Sequence, residues 1–162
     1  MNPLVIGIDL GLKGAVCLLD STGMAAYAHV MPTLKNPHGG NDVDVVALRR
    51  ILNQYPKVRI GLTVIEHTHA FGREAPKALF SFGRGTGRVQ ALLELEGYQY
   101  QEVRPTEWKK VVLTGTTRDK NAAIAYCHRR FPDLNPTNHD GIADAFCLAE
   151  YARRVHCGRI DG

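Results

Sequence analysis

The sequence predicts an α/β fold built on a mixed five-stranded sheet flanked by helices. Three β-prone runs come first, at residues 4–10, 14–20 and 24–30, and short glycine-containing turns join them, which is typical of an antiparallel meander. Strands and helices then alternate, which favours parallel pairing in the rest of the sheet. The length of 162 residues suits one domain, so we assign residues 1–162 to a single domain with a flexible end of about six residues.

Apolar spacing and chain breakers predict the remaining elements. Residues 31–41 contain two prolines and two glycines and are predicted to form a loop. The uninterrupted apolar run over 60–66 predicts a central strand that is buried on both faces, and 98–103 predicts a short strand before Pro105 breaks the chain. Apolar residues at helical spacing predict four helices, over residues 42–55, 78–97, 120–130 and 139–154.

Composition excludes several classes of protein. Apolar residues make up 44% of the chain and charged residues 22%, which excludes extensive disorder. No apolar run approaches the roughly 20 residues that span a bilayer, and the first residues lack a signal-peptide pattern, so we expect a cytoplasmic protein without a membrane partner. The four cysteines form no C-x-x-C pair and predict no zinc site. The net charge of +4 permits a polyanionic partner without requiring one.

Four acidic residues occupy positions where chemistry can be expected. Asp9 and Glu66 each end an apolar strand, where a buried, unpaired charge would cost several kcal/mol. Asp140 and Asp144 lie four residues apart at the start of the last predicted helix, so both carboxylates fall on one helical face. Each acid also has a structural alternative, which is strongest for Asp140 because an acid in a first helical turn favours the helix dipole.

If these carboxylates lie close together in the fold, they would favour the binding of divalent cations. If Asp9, Glu66 and Asp144 converge within about 5 Å, each pair repels by about 3 kcal/mol at an effective dielectric near 20, which favours protonation or metal binding. Ligands that are all oxygen select hard ions such as Mg²⁺ or Mn²⁺. Two such ions about 4 Å apart are the arrangement that hydrolyses phosphodiesters.

A basic segment follows the predicted short strand. Between Arg104 and Arg130 there are seven lysines and arginines against two acids, a local excess of +5 that exceeds the charge of the whole chain. Such a cluster suits phosphate binding, and its binding should weaken steeply with salt. A solvated helix face is the alternative. Trp108, within this segment, either packs in the core or stacks on a base.

Five segments carry a resemblance to one known family, namely GIDLG at 7–11, VIEH at 64–67, FGRGTGR at 82–88, RPTEWKKVVLTGTTRDKNAAI at 104–124 and HDGIADAFCLAEYAR at 139–153. In order and spacing they resemble the RuvC-type Holliday-junction resolvases of the RNase H-like superfamily, and the resemblance spans nearly the whole chain. The short length and the divergent last motif suggest a phage or other mobile-element origin, in the cytoplasm of a bacterium or an infected host.

This resemblance implies an RNase H-like fold and a homodimeric endonuclease that cuts four-way DNA junctions in recombination or repair. The dimer would supply two sites for two coordinated nicks. The implied metal ligands are Asp9, Glu66, Asp144 and Asp140, with two Mg²⁺ ions per site, Mn²⁺ as a substitute and no nucleotide cofactor. Bacterial members place the last two residues three apart, whereas here they are four apart, so His139 is the alternative to Asp140.

The resemblance also implies contacts with DNA. Lys109 and Lys120 would contact scissile phosphates or stabilise charge developing there, and Lys110 and Arg118 would assist. Phe71 would stack on unpaired bases at the junction centre, or pack as a flap. The glycines at 83, 85 and 87 favour close helix packing across the dimer over a dinucleotide fingerprint. The other side chains expected to contact DNA are Arg73, Lys77, Arg84 and Arg88.

Alternative functions use the same features. An RNase H-type or YqgF-like nuclease acting on RNA or RNA–DNA hybrids, or a broader branched-DNA and flap nuclease, would need the same acids. A metal-free DNA-binding module is disfavoured because all four acids are present. GIDLG also resembles the phosphate loop of actin-like ATPases and sugar kinases, but those proteins need two such domains, and this chain is too short and has no second glycine-rich phosphate motif.

Overall fold

The structure is a computed structural model that describes residues 2–67 and 75–156. The strands are β1 Leu4–Asp9, β2 Ala15–Asp20, β3 Ala26–Val30, β4 Thr33–Lys35, β5 Asn41–Val43, β6 Ile60–Glu66 and β7 Tyr100–Val103. The helices are α1 Val45–Leu52, α2 Pro76–Leu95, α3 Pro105–Val112, α4 Lys120–Arg130 and α5 Asp140–His156. Short 3-10 turns occupy Lys57–Arg59 and Pro132–Leu134.

Five strands form the central sheet in the order β3-β2-β1-β6-β7. Strands β1, β2 and β3 pair antiparallel, whereas β6 pairs parallel with both β1 and β7. This arrangement confirms the predicted mixed sheet. Ile8 pairs with Ile65 in the parallel register of β1 and β6, so the next residues, Asp9 and Glu66, end neighbouring strands at the same edge.

The helix predicted over residues 42–55 is shorter, Val45–Leu52, and two other segments differ more clearly from the sequence prediction. Residues 31–41 do not form a plain loop, because strands β4 and β5 pair there as a separate two-stranded hairpin. Gly39 and Gly40 supply the positive φ angles of its turn, 88° and 94°, which other residues rarely adopt. Pro105 does not break the chain but begins α3, since the first helical position has no need of the N–H that proline lacks.

Apolar clusters cover both faces of the sheet, as predicted for its central strand. Val5 of β1 points into the cluster that includes the inner faces of α3, α4 and α5. Its neighbour Ile6 points into the opposite cluster with α1 and α2. The predicted apolar stripe on the last helix is wider than expected, because α5 lies between the sheet and helices α3 and α4 and is buried on almost every side.

Glycine lets α5 contact the sheet backbone directly. A Cβ atom at Gly7 of β1 would collide with backbone atoms of Ala145 and Ala149. A Cβ at Gly141 would likewise collide with the backbone of Lys13 and Gly14, in the turn between β1 and β2. The start of α5 is therefore fixed against β1 and its following turn, at the edge where the acids emerge.

Other features follow the sequence expectations where the structure describes them. Cys17, Cys127 and Cys147 are buried and not joined in disulfides, and Cys157 lies outside the described residues. The described part of the chain contains no helix with the length and apolar character needed to cross a bilayer.

Replacing Gly7 should disrupt the contact between α5 and β1. We expect Gly7→Ala to lower the free energy of unfolding by about 3 kcal/mol or more, because the added methyl group meets helix backbone, which cannot rotate away. Urea unfolding followed by circular dichroism measures this loss. Gly61→Ala is the matched control, since its methyl group would meet only the side chain of His156, and it should cost clearly less. Wild-type stability in Gly7→Ala would contradict the close approach described above.

Candidate active site

Four acids gather around one edge of the sheet. Asp9 ends β1, Glu66 ends the neighbouring strand β6, and Asp144 lies in the second turn of α5. Asp140 begins α5. The contact at Gly7 positions Asp144 here, because the adjacent residue lies directly against β1. Three of these acids, Asp9, Asp140 and Asp144, line one end of a cavity of about 960 Å³.

Burial and mutual repulsion perturb two of the carboxyl groups strongly. Burial, followed by the charges of Asp144, Glu66 and Asp140, raises the pKa of Asp9 from 3.8 to about 8, although Lys120 opposes the shift. Burial, followed by the charge of Glu66, raises the pKa of Asp144 to about 6. Such shifts mark a place where negative charge is held against its own repulsion, which a divalent cation would relieve.

Glu66 is held by a neutral donor. The indole Nε1 of Trp108 donates a hydrogen bond of 2.7 Å to Oε2 of Glu66. Trp108 is only 1% exposed, so the core prediction for this residue is confirmed and stacking on a base is excluded. Sequence reasoning missed the contact with Glu66 because it did not recognise α3. A helix that begins at Pro105 places Trp108 and Val112 together on its buried face, which is the signal that could have revealed it.

Asp140 and His139 have different surroundings. The ammonium group of Lys120, at the start of α4, forms an ion pair with Asp140, and both side chains are substantially exposed. The hydrogen bond from Lys120 lowers the pKa of Asp140, and the same contact raises the pKa of Lys120. His139 lines a second, smaller cavity next to Asp140 and Lys120, and its Nδ1 is buried without a hydrogen-bond partner among the described residues.

The four acids are ligands of the type that a hard metal ion prefers, but their side chains are not close enough together to form a complete metal site. Their carboxylate oxygens are the ligands that Mg²⁺ prefers, and the raised pKa values of Asp9 and Asp144 show repulsion that a cation would relieve. Within residues 2–67 and 75–156, however, no three Asp, Glu, His or Cys side chains are grouped closely enough to hold one ion. Glu66 is bonded to Trp108 and Asp140 to Lys120, so a shared ion would have to draw these side chains together.

The predicted basic residues fall into three groups. Lys109 lies close enough to Asp144 to oppose the rise in its pKa, and its Nζ is 5.3 Å from the centroid of the Trp108 ring. Arg84 and Arg88 of α2 both pair with Asp42 of β5, so they tie this helix to the hairpin. The exposed group consists of Lys77, Lys110 and Arg118. Phe71 and Arg73 lie outside the described residues.

The cavity beside the acids also has an apolar wall that the sequence did not predict. This wall includes Leu12, which follows β1, and Leu79 and Phe82 of α2. Phe82 lies close to the backbone at Gly11, where a Cβ would come within 3.8 Å of its ring. Lys13 lines this cavity and also the smaller one beside His139, which adds a cation to the site.

Comparison with solved structures finds similar folds. The structure of Thermus thermophilus RuvC matches with a TM-score of 0.58 and 17% identity over 96% of each chain. T. thermophilus RuvC in complex with a Holliday junction substrate matches with a TM-score of 0.64 and 16% identity over 96% of each chain. The yeast mitochondrial Holliday junction resolvase Ydc2 matches with a TM-score of 0.58 and 15% identity over 96% of this chain and 80% of its own.

Sequence comparisons add nothing to these likenesses, since no family model and no curated protein matches the chain. With identities of 15 to 17%, the structural likeness concerns the fold. The resemblance found in the motifs and their order is confirmed at that level, and the phage origin stays a prediction. The chain has a fold similar to that of RuvC.

Proposed function

We propose that this protein is a metal-dependent, structure-selective endonuclease that hydrolyses phosphodiester bonds in four-way DNA junctions. The observation that carries the proposal is the pair Asp9 and Asp144, which the fold holds together with strongly raised pKa values at the edge where Glu66 also ends. A protein that only bound DNA would gain nothing from burying acids against their mutual repulsion beside a polyanion. Metal ions would relieve the repulsion among the carboxylates and would supply the chemistry of phosphodiester hydrolysis.

The acids would hold Mg²⁺, or Mn²⁺ in its place, with two ions per site. When bound, such ions lower the pKa of an attacking water and stabilise the leaving oxygen. Asp9, Glu66 and Asp144 are the core ligands in this proposal. We assign the fourth position to Asp140 over His139, because Asp140 lines the same cavity as Asp9 and Asp144, whereas His139 lines only the neighbouring one.

Lysines complete the proposed chemistry. Lys120 pairs with Asp140, so it would be released towards the substrate phosphate when Asp140 turns to a metal ion. Lys109 lies near Asp144 and is placed to stabilise negative charge that develops on the phosphoryl oxygens. The exposed Lys77, Lys110 and Arg118 would contact the DNA backbone outside the site.

Branched DNA is the favoured substrate because of the structural comparison. T. thermophilus RuvC has the same fold and has been observed bound to a Holliday junction, and the similar Ydc2 is named as a Holliday junction resolvase. An RNase H-type nuclease acting on RNA–DNA hybrids is the alternative, since the carboxylate chemistry would be the same. Substrate specificity therefore needs a direct comparison.

A homodimer is part of the proposal, and one face of α2 supports it. Phe80 is 70% exposed, and at Gly83 and Gly87 an added Cβ would meet nothing within 4 Å among the described residues. Gly83 and Gly87 come three and seven residues after Phe80, so the three residues share one face of the helix. An exposed aromatic next to small residues permits the close approach of a second helix, and a dimer would place two sites on one junction.

Cleavage assays with defined substrates test the activity. We expect the protein to cut a synthetic four-way junction in Mg²⁺ and not in EDTA, and to cut a flap and an RNA–DNA hybrid more slowly. Asp9→Asn and Glu66→Gln should lower the cleavage rate by about 1000-fold or more, the size of loss seen when catalytic groups are removed, while junction binding in gel-shift assays stays near normal. Lys35→Ala, in the β4–β5 hairpin, is the matched control and should cut normally. Cleavage of the hybrid alone would favour the alternative, and cleavage in EDTA would contradict the proposal.

Stability should depend on pH in a direction that the raised pKa values set. A carboxyl with a raised pKa keeps its proton longer in the folded state than in the unfolded state, so the free energy of unfolding falls as pH rises from about 4 to about 8. Asp9→Asn removes the largest of these groups. In EDTA we expect it to match the wild type near pH 4 and to exceed it by more than about 1 kcal/mol at pH 8, as measured by urea unfolding. Mg²⁺ should stabilise the wild type at pH 8 and have less effect on Asp9→Asn. Equal stability of the two proteins at both pH values would refute the raised pKa.

Sedimentation equilibrium tests the dimer. The wild type should sediment at twice the chain mass of 17.9 kDa. Phe80→Glu should weaken the dimer by at least about tenfold, because it places a charge in the proposed contact. Val58→Glu is the control, since Val58 is 95% exposed before β6, at the end of that strand opposite Glu66, and it should not change the mass. A dimer that withstands Phe80→Glu would place the interface elsewhere.

A further inference from the structure

We propose that Trp108 is a positioning residue that orients Glu66 for metal binding, an inference that rests on the proposed function. Trp108 is the only tryptophan in the chain, and its side chain lies in the apolar cluster between the sheet and α5. Its indole N–H donates to Oε2 of Glu66 over 2.7 Å. One oxygen of this carboxylate is thereby fixed towards the protein interior, and Oε1 is left as the oxygen that can turn to an ion.

The nature of the donor matters for this role. An indole N–H carries no charge and does not titrate, so it orients Glu66 without neutralising it. Asp140 shows the contrasting arrangement, because its partner Lys120 is a cation that competes directly with any metal ion. The bond is also needed by the indole itself, since a buried N–H without an acceptor costs about 1 to 3 kcal/mol. The hydrogen bond therefore limits how far Oε2 of Glu66 can turn when Oε1 moves towards an ion.

Helix α3 has an anchor that keeps the indole in place. Nη1 of Arg154 donates to the carbonyl oxygen of Val111, in the last turn of α3, over 2.7 Å. Nε of Arg154 in turn donates to Glu150, which is fully buried in α5. The helix that carries Trp108 is thus tied to the helix that carries Asp144. Movement of Glu66 towards an ion would not carry the indole along with it.

The same turn of α3 also serves a second acid. Lys109, the next residue, lies over the Trp108 ring, with Nζ 5.3 Å from its centroid, and is near Asp144. Contact with the ring favours one direction for a long, flexible ammonium side chain. Trp108 thus orients Glu66 through its indole N–H and Lys109 through the face of its ring. Loss of a hydrogen-bond partner that orients a metal ligand typically lowers metal affinity 10- to 100-fold.

A single tryptophan makes a substitution of one atom possible. Expression in a tryptophan auxotroph can replace Trp108 alone, either by benzothienylalanine, in which sulfur takes the place of the N–H, or by a ring-fluorinated tryptophan that keeps it. We expect the sulfur analogue to weaken Mg²⁺ binding by about 10- to 100-fold, as measured by the shift in unfolding midpoint with Mg²⁺ concentration. The fluorinated protein should bind Mg²⁺ like the wild type, and its fluorine NMR signal should move over the same concentration range.

Two results would overturn the inference. Equal Mg²⁺ affinity of the sulfur and fluorinated proteins would show that the N–H does not position Glu66. Absence of any Mg²⁺ or Mn²⁺ response in the fluorinated protein would instead overturn the proposed function, and this inference with it.

A measurement on unsubstituted tryptophan covers the case in which the sulfur analogue does not fold. The indole proton of the wild type should resonate downfield and exchange slowly with water, and Glu66→Ala should shift it upfield. An indole proton that is unchanged in Glu66→Ala would also refute the inference. Tyr55→Phe, which removes a hydroxyl that is hydrogen-bonded to His29 and packs on the opposite face of the sheet, is the control and should leave both the indole signal and Mg²⁺ affinity unchanged.

Discussion

The backbone contact between α5 and β1 at Gly7 is the constraint on which the candidate site depends. No side chain separates the two elements there, so the backbone of the helix lies in direct contact with the strand. Gly141 repeats this close approach at the turn after β1. Protein interiors are packed as densely as organic crystals, and two contacts between backbones leave the helix little freedom to slide or tilt. Asp144 on the helix and Asp9 on the strand are therefore held near each other by the fold and not by any attraction between them.

That proximity opposes stability, and the remainder of the fold has to offset it. Burial and mutual repulsion disfavour the ionised forms of Asp9 and Asp144, as the rise in their pKa values shows. Apolar clusters on both faces of the sheet supply the compensating free energy. The pair of Lys120 and Asp140 contributes little, since both side chains are exposed and screened by water. Because repulsion among these acids lowers the stability of the protein, cation binding at this site should raise that stability.

A buried polar network links the helices around this site. Glu150 lies in the middle of α5 with no exposed surface. Burial opposes its ionisation, but hydrogen bonds from Arg153 and Arg154 outweigh that effect and lower the pKa of the carboxyl. Arg154 continues the network to the end of α3. The network therefore fixes the angle between α3 and α5, which sets where Trp108 meets Glu66.

The mixed sheet, most of the helices and four candidate acids could be predicted from the sequence alone, because these depend on local patterns. The alternating and helical spacings of apolar residues can be read from neighbouring positions. An acid at the end of an apolar run is likewise visible in the sequence. The partners of these acids follow from the packing of distant elements and could not be predicted from local patterns. Glu66 meets Trp108 and Asp140 meets Lys120 across 42 and 20 positions of sequence, and Arg84 is neutralised by Asp42. Such pairings depend on how the elements pack. At Gly7, for example, the lack of a side chain matters only because α5 lies directly against β1 there.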